Sequence, residues 1–161
     1  MVLSAGKEVK YVLAGFFYWV LMRQAHHQLT VSSSQGRGLY EFTHELRDWV
    51  GSTGIQAGLL TLFVLHTSAS LLIQENADPT VQADLERFFA RLVPDGDPIF
   101  RHRQEGKDDM AAHARTALTH IHVAIPVVGG APVLGAWQGV FLYEHRYDPQ
   151  RRKVMLHLIG E

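Results

Sequence analysis

Three short stretches carry side chains that can hold a metal, move a proton or bind an anion. The first, HTSASLLIQENADPTV at residues 66–81, ends a long apolar run and then turns polar through Glu75, Asn76 and Asp78. Read as the continuation of a buried strand, it puts His66, Ser68 and Ser70 on one face and Thr67, Ala69 and Leu71 on the other. A buried hydroxyl or imidazole without a partner costs about 1–3 kcal/mol, so these groups must be paired inside the fold or line a wet cleft.

The second stretch, GKDDMAAHARTAL at residues 106–118, has Asp109 four residues before His113. On a helix starting near Asp109 the two lie one turn apart on a shared face. Such a pair can ligate a metal jointly, or the carboxylate can orient an imidazole that works as acid or base. A helix-capping Asp followed by a surface histidine has the same spacing. The third stretch is WQGVFLYEHR at residues 137–146. Strand alternation sets Gln138, Val140, Leu142, Glu144 and Arg146 on one face, with Trp137, Gly139, Phe141, Tyr143 and His145 on the other. The closing Glu144-His145-Arg146 triplet either completes a site or solvates a strand end.

The elements that must position these groups are legible between them. HQLTVSSS and LYEFT, either side of the turn at Gly36 and Gly38, read as a hairpin. Thr43 is placed to cap a helix through HELRDWV. Residues 55–65 form a near-continuous apolar strand of the kind covered on both faces. Asp78 and Pro79 supply a helix cap and first-turn proline, and Val81, Leu85, Phe88, Phe89 and Leu92 recur at helical spacing until Pro94, which predicts a helix packed on the sheet. A polar loop, a shorter helix over residues 110–118 and three strands, THIHVAIPV, WQGVFLYEHRY and KVMLHLIG, complete the chain. The expected class is α+β, mostly antiparallel sheet layers with helices packed on them.

With 161 residues, 47% of them hydrophobic, the chain can bury one sizeable core, and residues 23–161 read as one domain. Fifteen basic against sixteen acidic residues leave a formal charge of −1, which offers nucleic acid no excess of positive charge. The absence of cysteine removes disulfides and thiolate chemistry and suits the cytoplasm. Ten histidines supply ligands and acid/base groups in number. No glycine-rich phosphate loop, H-E-x-x-H or nucleophile elbow occurs. Residues 1–22 form a separate apolar extension: YVLAGFFYWVLM at residues 11–22 falls short of the ~20 residues that span a bilayer. It reads as sequence upstream of a start at Met22, as a membrane-associating segment, or as an ordinary structural helix.

Taken in order, HTSASL, ENADPTV, DLERFF, EGKDDMAAH and WQGVFLYEHR resemble the YjbQ family, described as secondary thiamine-phosphate synthase enzymes. The likeness runs from about Met22 to the C-terminus and departs from the family pattern at Ala111, where a proline is usual, and Ala136, where a threonine is usual. The resemblance implies a compact α+β domain that assembles as a homotrimer, with the polar motifs collected in a cleft near the subunit boundaries. It implies catalytic roles for His66, Asp109, His113, Glu144 and Arg146, with Arg146 as the anion partner. Thr67, Ser68, Asn76, Asp78 and Gln138 would bind the substrate. The implied activity joins a pyrimidinylmethyl diphosphate to a thiazole phosphate. That chemistry requires cations or a divalent metal to stabilise departing negative charge. Zinc on His66, His113 and His145 is one such arrangement and magnesium another. The competing expectations are a non-catalytic, anion- or metal-binding trimeric module, and a polar cluster that serves only to hold the fold together.

Overall fold

The computed structural model describes residues 2–4, 8–13 and 16–161, with side chains from residue 21 onward. Among the described residues, eleven strands and three helices follow one another as β1 (Val2–Ser4), β2 (Glu8–Leu13), β3 (Phe16–Leu21), β4 (Arg23–Ser33), β5 (Gly38–Glu41), α1 (Thr43–Thr53), β6 (Ala57–Val64), β7 (Ala69–Glu75), α2 (Pro79–Leu92), α3 (Asp109–Leu118), β8 (His122–Val128), β9 (Ala131–Pro132), β10 (Gln138–Glu144) and β11 (Gln150–Gly160). The fold is α+β. A six-stranded antiparallel sheet runs in the order β1-β4-β11-β6-β8-β9, facing a three-stranded sheet ordered β5-β10-β7. β2 and β3 pair with each other, so the described part of the apolar run at residues 11–22 is strand rather than helix.

Alternation builds the core. Arg152, Val154, Leu156 and Leu158 of β11 share a buried face with Leu60, Leu62 and Val64 of β6, and these meet Leu46 and Val50 of α1 and Val140 and Leu142 of β10. Each large aliphatic side chain so buried contributes about 1.5–3 kcal/mol, and truncating one such as Leu62 to alanine would cost about 2–5 kcal/mol.

Several sequence expectations are corrected. β4 and β5 are not a hairpin: the turn between them hands the chain from the large sheet to the small one, where β5 pairs with β10. Gly36 at φ +78 makes that turn possible, because a Cβ there would overlap the Tyr147 carbonyl. Thr43 does not cap α1; its hydroxyl donates to Glu41 Oε1 at 2.6 Å and accepts the Val140 amide at 2.8 Å, tying α1 to the small sheet. β6 is buried on one face only, leaving Leu59 45% and Phe63 43% exposed on the other. α2 is capped by Asp78 as expected, yet none of its residues is fully buried: it touches the small sheet through Phe89 against Tyr143 and leaves Phe88 and Leu92 exposed. No helix among the described residues is long and apolar enough to cross a membrane.

Candidate functional site

The chain leaves the large sheet at Val64 and enters the small one at Ala69, and the connection between them carries His66, Thr67 and Ser68. These three are therefore turn residues, not strand residues, and strand alternation does not govern where they point. α3 begins just beyond this turn. Its first-turn Asp109, 2% exposed, and His113 one turn later share the face that meets it.

His113 Nδ1 lies 2.9 Å from the Thr67 carbonyl oxygen. A carbonyl only accepts, so Nδ1 carries a proton, and in the neutral ring Nε2 is the nitrogen that keeps its lone pair. That lone pair stands 3.5 Å from Asp109 Oδ2, and His102 Nε2 approaches the same oxygen to 2.9 Å. Neither contact is aligned as a hydrogen bond, and Asp109 Oδ2 is buried without a partner. Three donor atoms, from His102, Asp109 and His113, thus lie within 4.8 Å of one another. Asp109 Oδ2 is buried and unpartnered, His113 is half-buried and fixed through its far nitrogen, and His102 reaches in from the exposed loop; converging so, they have the pattern of metal ligands held by an outer hydrogen bond. This donor set of two imidazoles and a carboxylate suits zinc or another transition ion better than magnesium, which prefers oxygen ligands.

Arg146 holds this group together. Its Nε donates to Asp108 Oδ2 at 3.0 Å, its Nη2 to the Glu105 carbonyl at 2.6 Å, and its Nη1 pairs with Asp109 Oδ1. Desolvation opposes the charge, but the Asp108 hydrogen bond and the surrounding carboxylates prevail and raise its pKa further. Each of its three nitrogens meets a protein acceptor, and two carboxylates already balance its charge, so it is a weak candidate for an incoming anion.

A second buried group stands behind His66. Glu144, 0% exposed, accepts Arg152 Nε at 2.6 Å and Nη2 at 2.8 Å, a two-pronged ion pair that bridges the two sheets. It also accepts the backbone amides of His145 and Arg146 at 3.1 and 3.0 Å. Strand-end solvation is thereby ruled out for Glu144 and His145, both fully buried. Arg152 Nη2 reaches Ser68 Oγ at 3.3 Å, and the Ser68 amide and hydroxyl both point at His66 Nδ1, at 3.1 and 3.0 Å. His66 therefore carries its proton on Nε2. Partial burial, and after it the nearby Arg152 charge, lower its pKa and keep it neutral. His66, Thr67 and His113 line an open cleft of about 400 Å³ with Thr116, Thr119 and Ile121.

The remaining sequence candidates sit elsewhere. His145 packs its ring against Tyr143 with Nε2 2.9 Å from Ser70 Oγ. Burial, with help from Arg115, Arg37 and Arg152, lowers its pKa to about 3. It is not among the convergent donor atoms, and neither is His66. Asn76, Asp78 and Gln138 lie at the far end of β7 and β10, roughly 20 Å away by strand rise. There Asn76 donates to Glu41 at 3.1 Å, Asp78 caps α2 through the Thr80 amide at 2.8 Å, and Gln138 accepts the Gly135 amide at 2.7 Å. Sequence reasoning missed His102 and Arg152. His102 sits in an irregular loop with no periodicity to mark it, whereas Arg152 falls in step with Val154, Leu156 and Leu158, a parity that marks it as facing inward.

A family model described as UPF0047 protein YjbQ-like matches residues 27–161. The chain belongs to the YjbQ/UPF0047 family. A UPF0047 protein of Synechocystis is 51% identical over 136 residues, covering 84% of this chain and 92% of its own. The YjbQ protein of Salmonella typhimurium is 42% identical over 137 residues, 84% and 99% of the two chains. Among solved structures, a hypothetical protein of Aeropyrum pernix superposes with a TM-score of 0.78 at 29% identity, covering 85% of this chain and 99% of that one. A YbjQ-like protein of unknown function from Sulfolobus solfataricus shares the fold with a TM-score of 0.79 at 22% identity, covering 87% and 99%.

Proposed function

We propose that this YjbQ-family chain is a metal-dependent enzyme acting on a phosphorylated small molecule, and that it binds its ion through His102 Nε2, Asp109 Oδ2 and His113 Nε2. The observation that carries this reading is the buried, unpartnered Asp109 oxygen facing two imidazoles, one of them oriented by the Thr67 carbonyl. A three-ligand set leaves coordination positions open, as catalytic metal sites do. When bound, a divalent ion supplies Lewis acidity where negative charge builds on a departing phosphate or diphosphate oxygen.

The chain's own residues supply the rest. His66, neutral with its proton on Nε2, lines the cleft beside His113 and can donate a hydrogen bond from that N–H to a leaving oxygen, keeping the proton itself. Ser68 and, behind it, Arg152 and Glu144 fix the ring in that tautomer. Arg146 orients Asp109. The reaction to try first joins a pyrimidinylmethyl diphosphate to a thiazole phosphate, with thiamine phosphate and diphosphate read by chromatography. Product formed by the zinc-loaded wild type and lost in His113→Ala with the fold intact supports the reading; metal bound without turnover of this pair or of a phosphoester panel makes the chain a binding module instead.

The proposal includes a homotrimer. Its support is the outward face of β6 and its neighbour, where Leu59, Phe63, Leu65 and Ile121 are exposed. Contiguous exposed apolar side chains of this kind are what an association surface offers. Phe63, Leu65 and Ile121 run up to His66 and Thr67, so a neighbouring subunit there would border the cleft.

A further inference from the structure

The loop at residues 94–108, between α2 and α3, encloses its own cavity of about 260 Å³, lined in part by His102 and sharing no lining residue with the His66 cleft. Gly96 and Gly106 shape it at φ +69 and +112, backbone that a side chain would strain, and the Gly96 amide donates to the Lys107 carbonyl at 2.9 Å to close the loop on itself. Phe100 and Met110 give it an apolar wall. Two cations line it, Arg103 and Lys107.

The lack of a paired carboxylate on those cations is what separates this cavity from the rest of the site. Arg146 is consumed by Asp108, Asp109 and the Glu105 carbonyl, and Arg152 by Glu144. Arg103 donates only to neutral acceptors, the Phe100 carbonyl at 2.9 Å and the Pro98 carbonyl at 3.4 Å. Lys107 has no carboxylate within ion-pair distance among the described residues, while its stem lies along Gly96. The lining carboxylate, Asp97, is turned to the Ile99 amide, which it accepts at 2.9 Å. The His66 cleft, by contrast, is lined by hydroxyls, imidazoles and apolar groups, with neither lysine nor arginine.

We infer that the loop cavity is the phosphate-binding half of the site, with Arg103 and Lys107 gripping the phosphate or diphosphate of a small organic ester whose body rests on Phe100 and Met110. This rests on the metal-dependent reading above and assigns the anion role to residues other than Arg146. His102 forms a wall of the cavity while its Nε2 faces Asp109, so an anion held there lies against a ligand of the metal centre. The cavity's volume admits a diphosphate or a single phosphorylated ring and is far too small for a polymer. The two cations differ in use: the guanidinium offers a planar fork to two oxygens, the ammonium a movable point charge.

The test is titration calorimetry of the full chain with inorganic pyrophosphate at fixed ionic strength, with and without zinc. Arg103→Gln with Lys107→Gln is compared with Arg101→Gln with Lys153→Gln, which removes the same charge outside the cavity; metal content and circular dichroism are recorded for each. The expected result is pyrophosphate affinity reduced at least about tenfold in the first pair and changed less than about twofold in the second, with zinc content equal. Should the first pair misfold, Lys107→Gln alone carries the comparison, since its ammonium holds no partner in the fold. Equal affinity in the two pairs, or no pyrophosphate binding by a zinc-replete wild type, overturns the cavity assignment and leaves the metal centre standing. A wild type that takes no zinc yet binds pyrophosphate through Arg103 and Lys107 overturns the metal reading and upholds the cavity.

Discussion

His113 Nδ1 lies 2.9 Å from the carbonyl oxygen of Thr67, and that one contact decides which nitrogen of the ring is available for chemistry. The carbonyl belongs to the turn that carries the chain from the large sheet to the small one, so the orientation of the imidazole is set by sheet topology rather than by a neighbouring side chain. A backbone acceptor cannot be deleted by substitution, and the tautomer it imposes persists wherever the turn persists.

Arg146→Gln is expected to weaken metal binding by about 10–100-fold while the chain still folds, because the guanidinium orients Asp109 and pins the loop at Glu105 and Asp108 without contributing a donor atom. Competition with a calibrated zinc chelator reads the affinity. Unchanged affinity would mean that the loop holds Asp109 and His102 in place unaided.

Breaking the Glu144–Arg152 pair is expected to be costly for the fold. Arg152→Met leaves a fully buried carboxylate without its counter-charge, held only by the His145 and Arg146 amides and Ser33, a loss of about 3–5 kcal/mol in urea unfolding. Glu144→Gln combined with Arg152→Met should cost clearly less than the sum of the single changes, since the isolated charge is removed along with its partner. Strict additivity would show that the two side chains act independently.

Acid should destabilise the chain in two stages. His145 is held neutral by burial, its pKa falling from 6.5 to about 3, so the unfolded chain binds the proton that the folded chain refuses. Stability is then complete above about pH 6.5 and declines by about 1.4 kcal/mol per pH unit as the pH falls from there toward 3. Asp95 and Asp108 add a lower stage. Despite desolvation, hydrogen bonds to Asp95 from Arg37 and to Asp108 from the Tyr147 amide and Arg146 hold both pKa values below the usual carboxylate value, so their contribution disappears as pH falls through the carboxylate range. Urea midpoints between pH 7 and pH 4 for wild type and His145→Gln check the first stage, and a slope unchanged by the substitution would remove His145 from the account.

If the proposed trimer forms through the exposed β6 face, Phe63→Glu is expected to leave a folded single chain where the wild type scatters light as three, because it sets a charge in the middle of that face. A trimer that survives this change would have its interface elsewhere, the exposed Phe88 and Leu92 of α2 being the next surface to alter.

Much of the fold could be read from residue periodicity, and the limits of that reading are physical. The helical spacing from Val81 to Leu92 gave α2, and the Asp109–His113 interval gave the face of α3 that matters. The large sheet's inner face was legible in Val154, Leu156 and Leu158. What periodicity could not reveal was where strands change sheet: β4 and β5 look like a hairpin because both alternate around a glycine turn, and only β10, a hundred residues on, claims β5. His66 lines an open cleft, yet strand parity does not place it there, since it sits in a turn between two sheets. His102 was invisible because a loop residue is positioned by tertiary contacts alone, here Arg146 with Asp108 and Glu105.

Metal content per chain, measured by mass spectrometry after zinc loading and extensive dialysis, tests the central claim most directly on wild type, His102→Ala, Asp109→Asn, His113→Ala and His66→Ala. The expected result is about one zinc in the wild type and in His66→Ala, with little or none in the other three. A wild type that loads no transition metal, or variants at residues 102, 109 and 113 that retain it in full, would contradict the assignment of His102, Asp109 and His113 as a metal centre.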